Sequence, residues 1–178
     1  MRRLLVVVFL VLVAAVAYRS LGSAETGTGT LTLAQPAPNV GQQVPGFTAT
    51  GIDGENFELS KRGIFVLTYW STLNKGASDA RPDFARLAEE YGDRGVSFAA
   101  VYVNGAPSED ESAPYIVIQD SNGRLASIYN VKRVPRLFLI RNGEIELVQN
   151  GFYPGSTSDL RAKLDELTKV NERPQESR

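Results

Sequence analysis

The sequence contains no cysteine and no histidine in 178 residues. Without cysteine the chain forms no disulfide, has no thiolate nucleophile and cannot carry out thiol redox chemistry by itself. Without either residue it lacks the usual ligands of zinc and iron–sulfur centres, and it cannot form a Ser-His-Asp triad. We therefore expect no metal site and no cofactor. Carboxylate, lysine and hydroxyl groups are the chemistry that remains.

The chain also has little net charge, which argues against nucleic acid as a partner. It has 19 basic and 20 acidic residues, a formal net charge of -1, and 43% hydrophobic residues. Nucleic-acid-binding proteins need a basic surface to neutralise phosphates, and this composition gives no reason to expect one. The roughly 150 residues after the N-terminal region are enough to bury one core, so we expect a single domain.

The first 24 residues have the pattern of an export leader. Arg2 and Arg3 precede an apolar run from Leu4 to Tyr18, and Arg19 follows it. As a helix, about 15 residues span roughly 22 Å, less than the roughly 30 Å hydrocarbon core of a bilayer. We interpret residues 1–24 as either a cleaved signal peptide or an N-terminal membrane anchor with its N-terminus inside. Both alternatives place the rest of the chain outside the cytoplasm, either membrane-anchored or secreted.

The remaining chain divides by composition into a linker, a domain and a tail. Residues 25–42 are rich in Gly, Thr, Ala, Pro and Gln, which is typical of a flexible linker, although Leu31 and Leu33 are also compatible with an edge strand. Residues 43–170 are predicted to form the folded domain, and residues 171–178 a disordered tail. No internal repeat is visible.

Within the domain, local patterns predict strands and helices in a mixed order. Asp53-Gly54 and Asn142-Gly143 are turn pairs that each predict a β-hairpin. The apolar run from Ile64 to Trp70 is typical of a strand buried on both faces. Helical spacing of apolar residues follows this strand and recurs near the C-terminus. Parallel strands, an antiparallel hairpin and a last helix together predict a mixed sheet with helices on its faces.

Several short motifs, in this order and spacing, carry a family resemblance. They are Val44-Pro45-Gly46-Phe47, Trp70-Ser71-Thr72, Pro82 in the following helix, Asp120-Ser121-Asn122-Gly123, Val131 through Pro135, and Phe138 through Gly143. From about Val40 to Val170 the chain resembles the thioredoxin superfamily, and within it the extracytoplasmic TlpA/ResA-like (redoxin) thiol-disulfide oxidoreductases. The resemblance implies an α/β, thioredoxin-like fold: a mixed central β-sheet with flanking helices and an N-terminal β-hairpin.

The chain departs from this family at the residues that perform its chemistry. The two cysteines of the family's Cys-x-x-Cys motif correspond to Asn74 and Ala77, and a glutamate that tunes proton transfer corresponds to Ala80. A helix N-terminus normally lowers the pKa of the first cysteine, but Asn74 cannot ionise. We therefore interpret the chain as a degenerate member with no catalytic residue, and we expect it not to be an enzyme.

The resemblance also implies a surface that could bind without catalysis. In the superfamily, the residue before a cis-proline leaves its backbone free to pair with an extended substrate chain. Val134 and Pro135 match that position, and Trp70 and Leu73 are expected nearby. These four residues are predicted to form a small apolar groove for a peptide. The alternative is that Trp70 and Pro135 serve only the core and the turn.

Three rival sites are less favoured. Asn74, Lys75 and Gly76 at a helix start could bind an anion, and Ser71 with Lys75 could form a nucleophile pair. The acidic run from Glu109 to Glu111 could bind calcium, although it lacks the alternating ligand spacing of a calcium loop. A solvated loop is the simpler interpretation in each case. Ser78 or Asp79 is the expected helix cap.

The function predicted from these observations is a non-catalytic, peptide- or protein-binding module of the cell envelope. Its partner is expected to be an extracytoplasmic polypeptide or a membrane protein. A second hypothesis is an accessory role in thiol-disulfide or antioxidant chemistry, as in cytochrome c maturation, with a partner that supplies the cysteines. A third is a structural assembly module that uses another surface.

Overall fold

The computed structural model describes residues 38–105, 112–151 and 156–171. In chain order the elements are β1 (Phe47–Thr50), β2 (Asn56–Leu59), β3 (Ile64–Trp70), α1 (Lys75–Gly92), β4 (Val96–Tyr102), β5 (Ile116–Gln119), α2 (Arg124–Ile128), β6 (Arg136–Arg141), β7 (Glu144–Asn150) and α3 (Thr157–Asn171). The predicted leader, most of the predicted linker, the acidic run and residues 172–178 lie outside the described residues. Within these residues, no helix has the length and apolarity that crossing a membrane requires.

The strands form a five-stranded mixed sheet and a separate hairpin. The sheet order is β5-β4-β3-β6-β7, and β1 pairs with β2 alone. β3 runs parallel to β4 and antiparallel to β6, with Tyr69 opposite Arg136 at the end of the pairing. Every residue of β3 is buried, as its uninterrupted apolar sequence predicts. The thioredoxin-like fold with its N-terminal hairpin is confirmed.

Side chains of β3 divide between two core clusters because successive residues of a strand point to opposite faces. Val66 and Trp70 pack with α1 and α3, in a cluster that includes Phe84 and Leu164. Leu67 and Tyr69 pack on the other face with the first hairpin and α2, where the cluster includes Phe47, Leu125 and Tyr129. The central strand is therefore covered on both sides, and its C-terminal end positions the turn that follows.

The turn between β6 and β7 has the geometry that its sequence predicts. Asn142 and Gly143 both have positive φ angles, 53° and 82°, as a two-residue hairpin turn of the primed type requires. The side-chain oxygen of Asn142 also accepts a hydrogen bond of 3.1 Å from the Gly63 N–H, just before β3. This contact ties the hairpin to the end of the central strand opposite the Trp70 turn.

The residues just before the domain pair with the outer strand. Gly41 donates to the Ile145 carbonyl at 2.8 Å, and Ile145 donates to the Gln42 carbonyl at 3.0 Å. Gln43 forms an isolated bridge with Glu144. The sequence places Gly41 and Gln42 in the linker, whereas these hydrogen bonds attach them to the edge of the sheet at β7.

Candidate functional site

The turn that follows β3 is held by hydrogen bonds within the turn and by one to the loop after β4. The side-chain oxygen of Ser71 accepts from the Leu73 N–H at 3.2 Å, and the Ser71 carbonyl accepts from the Asn74 N–H at 3.1 Å. Thr72 donates its hydroxyl to the Asn104 carbonyl at 2.9 Å, which joins the turn to the loop after β4. The turn is therefore a fixed element, although it contains neither of the two thiols of the resembling family.

Asn74 is the residue that connects this turn to its surroundings. It lies at the N-cap of α1 with extended backbone angles, and its Oδ1 accepts from the Gly76 N–H at 2.9 Å. Its Nδ2 donates to the Val134 carbonyl at 3.0 Å. We call this second hydrogen bond the Asn74 latch. The prediction of a cap at Ser78 or Asp79 is wrong, because α1 begins four residues before Asp79, at Lys75.

The other two positions that correspond to catalytic residues of the resembling family lie within α1. Ala77 is in the first turn of the helix. Ala80 is 3% exposed and belongs to the core cluster on the α1 face of the sheet. A carboxylate at position 80 would be desolvated by these apolar neighbours, and the alanine packs there without that penalty.

Two of the rival sites are not formed. Lys75 makes an ion pair with Asp79 at 3.1 Å, one helical turn further on. Its ammonium group is therefore engaged with a carboxylate and does not form the predicted nucleophile pair with Ser71. Ser71 is 4% exposed and already accepts from Leu73. Because Asn74 occupies the Gly76 N–H with its own side chain, these groups do not converge on an anion. The described residues contain no cluster of three metal-ligating side chains, and Glu109–Glu111 lies outside them.

Trp70 is not part of an accessible groove, contrary to the sequence prediction. Its side chain is 0% exposed and makes edge-on contacts with Phe84, Tyr102 and Tyr115 at centroid distances of 5.1, 5.9 and 6.2 Å. It points to the α1 face, whereas Val134 packs with the cluster on the opposite face. Trp70 is therefore a core residue of the α1 face, and its side chain offers no exposed surface to a docked peptide.

A surface cleft of about 480 Å³ lies beside Val134 and Pro135. We call it the Val134 cleft. One wall is residues 130 and 132–136 before and at the start of β6, and the other is residues 150–151 at the end of β7. The two walls are joined by a hydrogen bond of 2.9 Å from the Gly151 N–H to the Pro135 carbonyl. The Val134–Pro135 bond is cis, as the resemblance implies.

Leu73 is connected to this cleft only through the next residue, Asn74. It is 84% exposed, and it directly precedes Asn74, whose side chain contacts Val134. A single exposed leucine is ordinary on a protein surface. Leu73 is not one of the residues that line the cleft, whose apolar lining is Val134 and Pro135. The structure thus brings Val134 and Pro135 together in the cleft, links Leu73 to them only through Asn74, and buries Trp70.

The basic residues of the cleft were missed by the sequence reasoning. Lys132 and Arg133 are exposed, and Arg136, which also lines the cleft, is half-buried. Arg136 donates from Nη1 to the Asn150 side chain at 2.9 Å and from Nη2 to the Pro38 carbonyl at 3.4 Å. Burial lowers the pKa of Arg136, since it disfavours the charged form. The sequence signal that could have revealed this basic surface is the adjacent pair Lys132-Arg133, directly before Val134-Pro135.

Comparison with known proteins agrees with this geometry. The model of the AhpC/TSA family matches residues 40–148, more than half of the chain. The chain belongs to the AhpC/TSA family. The thiol-disulfide oxidoreductase ResA of Halalkalibacterium halodurans is 26% identical over 139 residues, covering 72% of this chain and 77% of that protein. The predicted resemblance to TlpA/ResA-like members of the thioredoxin superfamily is thereby confirmed.

Solved structures show the same fold. A Chlorobium tepidum protein provisionally described as the thiol:disulfide interchange protein DsbE is 26% identical, with a TM-score of 0.64. The alignment covers 73% of this chain and 98% of that structure. The exposed lipoprotein thioredoxin of Streptococcus pneumoniae is 21% identical, with a TM-score of 0.57 over 68% of this chain and 99% of that one. This AhpC/TSA member keeps the fold and has no cysteine for thiol chemistry.

Proposed function

We propose that this AhpC/TSA member is a non-catalytic polypeptide-binding protein of the cell envelope, and that it binds its partner at the Val134 cleft. The observation that carries the proposal is the cleft itself, which is lined by Val134 and Pro135 at the place where the superfamily receives extended chains. Exposed Leu73 directly precedes Asn74, whose side chain donates to the Val134 carbonyl. The total absence of cysteine supports a role without thiol chemistry.

In the Val134 cleft, two backbone carbonyl groups that a docked peptide could use already accept hydrogen bonds from this chain. The Val134 carbonyl accepts from Asn74, and the Pro135 carbonyl accepts from Gly151. An extended peptide that pairs with Val134 therefore replaces the Asn74 latch or uses only the Val134 N–H. Side-chain contacts with Leu73 would supply apolar burial, which is worth about 1.5–3 kcal/mol for a fully buried leucine.

The envelope location rests on the leader pattern of residues 1–24 and on similarity to proteins such as the exposed lipoprotein thioredoxin of Streptococcus pneumoniae. Protease added to intact cells or spheroplasts should degrade the domain if it is outside the cytoplasmic membrane. A protein that is protected until the cells are lysed would contradict this location. The intact mass of the mature protein, measured by mass spectrometry, distinguishes a cleaved leader from a retained anchor.

Photocrosslinking from position 73 in cells tests the binding role. A photoreactive amino acid replaces Leu73 in the full chain, and a matched probe replaces Lys61, an exposed residue at the opposite end of β3. We expect a specific adduct from position 73 and none from position 61. Val134→Asp should abolish the adduct. Equal capture from both positions, or capture that Val134→Asp leaves unchanged, would refute the proposal.

Val134 also packs against the core, so loss of capture by Val134→Asp must be separated from misfolding. Leu73→Ser changes only an exposed side chain and leaves the core intact. With a purified partner, this variant should bind more weakly while its unfolding temperature stays within about 2 °C of the wild type. The purified wild type should not reduce insulin disulfides, because it has no thiol.

A further inference from the structure

The Val134 cleft has an uneven distribution of charge. Its lining includes Lys132, Arg133 and Arg136 but no aspartate or glutamate. The whole chain has a net charge of only -1, so this positive charge is local. Such a concave basic surface attracts anionic groups more strongly than the total charge of the protein indicates.

The exposed basic pair in the cleft is not neutralised by a carboxylate of the described domain. Other cations of this domain do have such partners: Lys75 pairs with Asp79 at 3.1 Å, and Arg141 with Glu146 at 2.8 Å. Within residues 38–105, 112–151 and 156–171, no ion pair forms at Lys132 or Arg133. Their charges are therefore available to an incoming group.

Arg136 gives an independent indication of the same ligand chemistry. Its guanidinium contacts the neutral groups of Asn150 and Pro38 and lies over the ring of Phe138 at 5.1 Å. Its Nε is buried without a hydrogen-bond partner. A partly desolvated cation surrounded by neutral groups gains more from a nearby carboxylate than an exposed one does, because water screens the attraction less.

We infer that the Val134 cleft selects an extended polypeptide segment that carries acidic side chains next to apolar ones. This inference rests on the proposed function and specifies its partner. The carboxylates would lie near Lys132, Arg133 and Arg136, and the apolar side chains against Val134 and Pro135, which form the apolar margin of the cleft, with exposed Leu73 available to a longer segment. A free anion would leave the apolar margin uncovered, so a peptide uses more of the surface.

The test uses the full-length protein in detergent and three pools of fluorescein-labelled decapeptides. Eight positions are randomised among Ala, Val, Leu, Ser and Thr, and the two fixed positions are both Glu, both Gln or both Lys. By fluorescence anisotropy at low salt, the Glu pool should bind about fivefold more tightly than the Gln pool, as expected for a few partly exposed ion pairs. The Lys pool should bind most weakly. The difference should shrink as salt is added.

Lys132→Gln combined with Arg133→Gln should reduce binding of the Glu pool to the level of the Gln pool. Lys61→Gln combined with Arg62→Gln is the matched control, because it removes an exposed adjacent basic pair at the opposite end of β3. The control should bind the Glu pool like the wild type. Equal loss in both double variants would indicate non-specific attraction and overturn the inference.

The remaining outcomes separate this inference from the proposed function. If all three pools bind equally and Leu73→Ser weakens them all, the cleft binds peptides without acidic preference, and only the inference fails. If no pool binds, both fail. If Leu73→Ser has no effect while inorganic phosphate or phosphatidylglycerol vesicles displace the Glu pool completely, the cleft is a simple anion or membrane site, which also overturns the inference.

Discussion

Asn74 has two separable roles that substitution can resolve. Its Oδ1 caps α1 by accepting from Gly76 at 2.9 Å, and its Nδ2 donates to the Val134 carbonyl at 3.0 Å. Asn74→Ala removes both hydrogen bonds. Asn74→Ser keeps an oxygen that can cap the helix, but its hydroxyl is too short to reach Val134. The difference between the two variants therefore isolates the cap, and the difference between serine and wild type isolates the Asn74 latch.

The expected magnitudes follow from the two contacts. Replacing a good N-cap with alanine costs about 1 kcal/mol. Losing a part-buried amide–carbonyl hydrogen bond costs about 0.5–1.5 kcal/mol, since the Val134 carbonyl is left without its partner. We expect Asn74→Ala to lower the free energy of unfolding by about 2 kcal/mol and Asn74→Ser by about 1 kcal/mol. For a domain of this size, these values correspond to roughly 7 °C and 3 °C in Tm.

Thermal and urea unfolding followed by circular dichroism measure these differences. Lys75→Ala, next to Asn74, is the control, because it removes only an exposed i,i+4 ion pair worth a few tenths of a kcal/mol. A serine variant as stable as the wild type would show that the latch contributes nothing to folding. Equal stabilities of the serine and alanine variants would show that the cap contributes nothing. Either result would refute the corresponding part of the reasoning.

Three further predictions concern the supporting structure. The fluorescence of Trp70, the only tryptophan in the chain, should resist quenching by iodide and stay unchanged on peptide binding, because its side chain is 0% exposed; strong quenching would contradict its burial. Gly105→Ala should lower stability by about 1–2 kcal/mol in urea unfolding, because residue 105 has a φ of 70° and a Cβ would lie 2.7 Å from the Thr72 hydroxyl. A hydrogen bond from Arg94 holds the pKa of Asp165 below its ordinary value, so its stabilisation is present above about pH 4 and is lost as pH falls through the lowered pKa. Asp165→Asn should therefore be less stable than wild type at pH 7 and similar to it near pH 2, and an unchanged difference in melting temperature would contradict this.

The elements with strong local patterns could be predicted from the sequence. The seven apolar residues of β3 and the Asn142-Gly143 turn each depend on interactions within a few residues. The face of the sheet to which Trp70 points could not be predicted from such local patterns. Because every residue of β3 is buried, no alternation of polar and apolar residues marks its two faces, and only the placement of α1 decides between them.

The composition of the cleft could not be predicted either, because it depends on tertiary contacts. Arg136 meets Asn150 only because β6 and β7 pair in the register that places these two residues opposite each other. The same applies to Asn74 and Val134, which are 60 residues apart in the sequence. Local patterns identified both segments, but the amide–carbonyl contact between them required the folded sheet.

The latch also links folding to binding, and this link gives the Asn74→Ser variant a second use. If an extended peptide pairs with the Val134 carbonyl, it must first displace the Asn74 amide, and the free energy of that hydrogen bond is subtracted from the affinity. Removing the latch should then strengthen peptide binding by about two- to tenfold while it weakens the fold, since about 0.5–1.5 kcal/mol is no longer spent on displacement. Both quantities can be measured on the same purified variant. A serine variant that loses stability and affinity together would show that the latch shapes the cleft for its ligand, and that a docked chain does not use the Val134 carbonyl.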